Sequence, residues 1–81
     1  MQALHSPVEA AKWLRERVTG TLCADSRQLA AGDGFIAWPG AAVDARQFVT
    51  QALAQGALAC LVEREGLDAF GLNDARVAHY A

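Results

Sequence analysis

No stretch of this 81-residue sequence stays apolar for the roughly 18–20 residues that a membrane-spanning helix needs. Its N-terminus, where His5 and Pro7 lead into a charged segment, does not resemble a secretory signal, so a cytoplasmic domain is expected. An excess of one charge is also missing. Seven basic residues face nine acidic ones, and the basic residues are scattered, which removes the electrostatic footprint of a nucleic-acid or membrane-surface binder. Only two cysteines occur, Cys23 and Cys60, both inside apolar strand-like runs. They read as buried reduced thiols acting as small hydrophobes, with a disulfide or a two-cysteine metal site as the alternative. His5 and His79 have no neighbours at ligand spacing, so no metal site is assigned. The lysine-bearing glycine loop that cradles nucleotide phosphates is lacking, since Gly32-Asp33-Gly34 has neither its lysine nor its length. No serine or cysteine stands near a His-Asp pair in sequence, so no catalytic residue is assigned. Repeats, linkers and low-complexity tracts are absent too.

What remains is 53% hydrophobic, enough for the core of one domain covering residues 1–81. Ser6-Pro7-Val8-Glu9 has the signature of a helix start: a capping serine, a proline suited to the first helical position, and a glutamate completing the capping box. Ala11, Leu14 and Val18, beside Pro7 and Ala10, are expected to face inward, with Trp13 bordering that stripe and packing in the core rather than stacking on a base, and Glu9, Lys12 and Glu16 in solvent. Gly20 should end this helix before a strand at Thr21–Ala24. A second helix, Ala45–Gln55, is expected to follow Asp44, which forms a capping pair with Gln47. Phe48, Val49, Ala52 and Leu53 would line its inner face, and Arg46, Thr50, Gln51 and Gln55 its outer one. Gly56 stops it. Leu58–Val62 is continuously apolar, as in a central strand covered on both sides. With the strand Phe35–Trp38 it makes a right-handed strand–helix–strand crossover with a parallel pair. One helical turn at Leu67–Phe70 and a last strand at Arg76–Tyr80 complete an α/β fold with a small, mostly parallel, partly mixed sheet and packed helices. Phe35, Ile36, Phe48, Leu53, Cys60 and Leu61 are the expected core.

The densest chemistry lies between Asp25 and Asp44. Asp25-Ser26-Arg27 offers an acceptor pair, a hydroxyl and a guanidinium fork in succession. A tight glycine turn follows at Ala31–Gly34, and Pro39-Gly40 interrupts the next strand. Asp25 and Asp44 flank this region, but capping suits Asp44 better than acid–base work. Gly40–Val43 lies between a strand end and a helix start, the edge of an α/β sheet that ligands favour, where free amides attract anionic or carbonyl oxygens. The alternative for Asp25, Ser26 and Arg27 is a turn closed by an internal ion pair.

The ordered set D-S-R, G-D-x-F-x-A, P-G, D-x-R-x-F and a G-A before an apolar strand, running from about Leu22 to Val62, resembles the N-terminal domain of the Mur ligases, most like the MurE type. That resemblance implies a binding site for the UDP end of UDP-N-acetylmuramoyl-dipeptide at Ala24, Ser26, Ala41, Ala42 and Val43, to which Arg27 and Gly40 are added from the same two loops. Ala24 would act through its backbone and Ser26 through its hydroxyl. It also implies that residues 1–81 begin a three-domain, ATP-dependent amide ligase of peptidoglycan precursor synthesis. ATP and Mg²⁺ would bind in its central domain, and no cofactor in this chain. Two departures stand out: Ala41-Ala42 replaces polar side chains, and Ala45 replaces the usual glycine of D-G-R. A MurF-type or other Mur-like ligase domain, or a protein-docking domain with an exposed apolar patch at Trp38, are the competing readings.

Overall fold

A computed structural model describes residues 1–80. Five strands, β1 (Gln2–Leu4), β2 (Leu22–Cys23), β3 (Gly34–Ala37), β4 (Ala59–Glu63) and β5 (Val77–Tyr80), form one sheet in the order β1-β5-β4-β3-β2. Every ladder is parallel. The mixed component anticipated from sequence reduces to one antiparallel bridge, Pro39 with Asp44.

The two helices are α1 (Pro7–Arg15) and α2 (Val49–Ala54). Short 3-10 turns occupy Ser26–Gln28, Ala45–Phe48 and Leu67–Phe70. The β1–α1–β2 connection crosses the sheet from one edge to the other, whereas the later connections step back strand by strand. With a common crossover hand, α1 and the later helices fall on opposite faces. The side chains alternate accordingly. Phe35, Ala37, Cys60, Val62 and Val77 pack with Val49, Ala52 and Leu67 on one side. Leu4, Ala59, Leu61 and Ala78 pack with Ala10, Trp13 and Leu14 on the other.

Several expectations hold. Ser6 caps α1 by accepting the Glu9 amide at 3.1 Å, and the lone turn at Leu67–Phe70 is present. Gly32 adopts φ 95°, a backbone conformation that glycine reaches at no steric cost. Phe35, Cys60 and Leu61 are buried.

Others need correction. β1 carries too little sequence signal to be read alone, and exists because β5 offers it a ladder. The inward face of α1 is rotated toward Ala10, Trp13 and Leu14, leaving Pro7 and Ala11 exposed and Glu9 half-buried. The helix needs a large side chain to span the gap to the sheet, and Trp13 fills it. Ile36, on the α1 face, and Phe48 and Leu53, on the α2 face, are only half-buried; on the α2 face the fully buried contacts come from Val49 and the small Ala52 and Ala57. Leu58 lies exposed before β4 begins. The second helix starts as a 3-10 turn, and Arg46, placed on its wet face by helical periodicity, is 6% exposed.

Candidate functional site

β2 and β3 are neighbours, so the loops leaving their C-terminal ends lie side by side. The first is held locally. The Cys23 thiol donates to the Asp25 carbonyl at 2.9 Å, and the Asp25 carboxylate accepts the Arg27 amide at 2.9 Å, which caps the Ser26–Gln28 turn. The same carboxylate receives the Arg27 guanidinium through Nε at 3.0 Å and Nη2 at 2.9 Å. The hydrogen bonds from Arg27 hold the Asp25 carboxyl below its ordinary range, and Asp25 in turn raises the guanidinium. The ion pair expected as the alternative reading is therefore present. It leaves Arg27 exposed, with Nη1 free of Asp25.

The second loop is pinched at its base. The Gly40 amide donates to the Val43 carbonyl at 2.8 Å, the Ala45 amide to the Trp38 carbonyl at 3.3 Å, and a Cβ on Gly40 would come within 2.9 Å of the Val43 oxygen. A glycine is thus required for the turn itself. The helix start is less open to anions than expected: the Arg46 amide donates to the Asp44 carboxylate and the Gln47 amide to the Asp44 carbonyl. Asp44 caps through Arg46 rather than through a pair with Gln47. Ala41, Ala42 and Val43 remain exposed at the tip.

Between the two loops opens a cavity of about 470 Å³, within the usual range for small-molecule sites. Ala24, Ser26 and Arg27 line one side and Val43 another, so four of the seven sequence-derived site residues meet there. Gly40, Ala41 and Ala42 are not among its lining residues. Sequence reasoning missed Asp25, Ala45, Phe48 and Gln51, which complete the wall. Ala45, Phe48 and Gln51 recur every third residue, the spacing at which side chains stack in a 3-10 segment, and that periodicity was the available signal.

Residues 20–79 match the family described as Mur ligase family, catalytic domain. The chain belongs to the Mur ligase family. It is 57% identical, over 96% of its length, to UDP-N-acetylmuramoyl-L-alanyl-D-glutamate--2,6-diaminopimelate ligase of Acidovorax sp. (strain JS42), of which it spans 16%. It is 42% identical, over 74% of its length, to the ligase of the same name from Pseudomonas putida, covering 12% of that protein. UDP-N-acetylmuramoyl-tripeptide--D-alanyl-D-alanine ligase of Synechocystis sp. is 44% identical over 57% of the chain and 11% of its own length.

Beside the cavity, this Mur ligase chain is braced by Arg46. Its guanidinium donates to the Asp44 carboxylate through Nε at 3.0 Å and Nη2 at 2.7 Å. Nη1 donates to the carbonyls of Glu63, at 2.9 Å, and Glu65. Its face lies 4.8 Å from the Phe70 ring centroid, a cation–π contact. One side chain thus ties the helix start to the loop after β4.

Both cysteines are free, and burial pushes the Cys60 thiol up to about 12, which keeps it protonated. Among the described residues no group of His, Cys, Asp and Glu could hold a metal ion. No helix among them is long and apolar enough to cross a membrane. Trp38 is half-buried against the α1-side core.

Proposed function

We propose that this chain binds the uridine diphosphate end of UDP-N-acetylmuramoyl-dipeptide, as the first domain of a longer, cytoplasmic, ATP-dependent amide ligase of peptidoglycan precursor synthesis. The observation that carries this reading is the cavity itself, which gathers Ala24, Ser26, Arg27 and Val43 from two separate loops. The names of its relatives supply the substrate class: both diaminopimelate ligases and the D-alanyl-D-alanine ligase act on UDP-N-acetylmuramoyl peptides. Ser26 offers a hydroxyl, Arg27 a cation at the rim, and Ala41–Val43 exposed backbone for phosphate or carbonyl oxygens.

On this reading the domain contributes position rather than bond making. Holding the nucleotide far from the reacting carboxylate uses remote binding energy to orient that carboxylate. ATP and Mg²⁺, which would activate it, belong to the central domain beyond these residues, and a C-terminal domain completes the protein. The MurE-type relatives favour the dipeptide as substrate over the tripeptide of the MurF type.

Replacing Ser26 with alanine tests the assignment. UDP affinity measured by NMR titration should weaken by about 1 kcal/mol, roughly fivefold, with the amide spectrum otherwise retained. Unchanged affinity would remove Ser26 from the site.

A further inference from the structure

Resting on the nucleotide reading above, we propose that Gln51 reads the edge of the base, with Phe48 as the flat wall against which the base lies. Both line the cavity: Gln51 lies outside the sequence motif, and Phe48, the last residue of its D-x-R-x-F element, is placed by the sequence only in the core. The 3-10 turn running into α2 places Ala45, Phe48 and Gln51 in one column, while Val49 and Ala52 turn away into the core. The column is graded in chemistry. Ala45 leaves space, Phe48 presents a half-buried ring, and Gln51 ends it with an exposed primary amide.

The same cavity is lined by Ala24, Ser26 and the Asp25–Arg27 fork from the loop after β2. The cavity therefore joins an aromatic ring on one element to a charged group on another, a combination suited to a ligand with a planar apolar end and an anionic end. An amide presents a donor and an acceptor side by side. That pair matches the adjacent carbonyl and imide N–H of uracil, and a site that pairs both rejects bases with a different edge because its own polar atoms would be left unmatched. Gln51 is exposed and makes no core contact, so exchanging it removes the amide with little effect on folding.

The test titrates the 81-residue chain and its Gln51→Leu variant with UDP and ADP, following backbone amides and the Gln51 side-chain NH₂ by NMR. UDP should shift the Gln51 NH₂ signals, and the parent should prefer UDP to ADP. In the variant, UDP should bind roughly three- to tenfold more weakly, the range one hydrogen bond spans, and the preference over ADP should shrink. A Phe48→Leu variant should weaken both nucleotides together. If UDP moves the Ala24–Arg27 amides while the Gln51 signals and the variant's affinity stay unchanged, the base-edge role is overturned and the nucleotide reading survives. If UDP moves no amide at all in the parent, both fall.

Discussion

Asp25-Ser26-Arg27 and Asp44-Ala45-Arg46 are one local device at two depths. In each, the aspartate accepts the arginine's amide and then its guanidinium through Nε and Nη2. A third copy, Asp74–Arg76, repeats the geometry. Their surroundings differ. The Arg27 side chain is 86% exposed and borders the cavity, whereas Arg46 is 6% exposed and spends its remaining donors on two carbonyls of the loop after β4. Local chemistry sets the shape of the tripeptide. What the tripeptide does follows from where the fold puts it: the exposed copy leaves Nη1 of Arg27 free of its aspartate at the cavity, and the buried copy ties the helix start to the loop after β4.

The largest expected effect comes from the buried copy. Arg46→Ala strands the Asp44 carboxylate and the Glu63 and Glu65 carbonyls, and should cost about 3 kcal/mol, the lower end for breaking a buried pair because Asp44 is partly hydrated. Urea denaturation measures it. Arg27→Ala, by contrast, should leave the urea midpoint where it is, since exposed pairs contribute little. Equal losses from the two substitutions would erase the distinction.

The smallest effect is in acid. Hydrogen bonds from Arg76 lower the Asp74 carboxyl to about 2. A carboxylate depressed in the folded state contributes stability above its unfolded value near 4, and that contribution is lost as pH falls toward 2. In Arg76→Ala the decline in urea midpoint between pH 4 and pH 2 should be shallower than in the parent. An identical decline would show that Arg76 has no part in it.

The same comparison explains what was legible in the sequence. Strands β3, β4 and β5, both helices and the Leu67–Phe70 turn follow from apolar runs, caps and glycines, all local signals. Four of the residues lining the cavity follow from motif order around β2 and β3. Arg46 did not, because helical periodicity is read along one element, and its partners at Glu63 and Glu65 come from another. The rotation of α1 that exposes Pro7 and Ala11 was missed for a similar reason: which face of the helix is inner depends on where the sheet lies, although Trp13 packs in the core as expected. β1 is three residues long and owes its form to β5. Phe48 and Gln51 escaped because a 3-10 start shifts the column of facing residues relative to an α-helix.

An amide-resolved NMR titration of the chain with UDP tests the account most directly. The binding is expected to be weak, near millimolar or about −4 kcal/mol, because UDP alone lacks the sugar and peptide of the proposed substrate. Shifts should concentrate at Ala24–Arg27, at Ala41–Val43 and at Phe48 and Gln51, with Arg46 and the Glu63–Asn73 segment nearly still. Shifts centred on Arg46 and Glu63–Asn73, or none at saturating UDP, would contradict it.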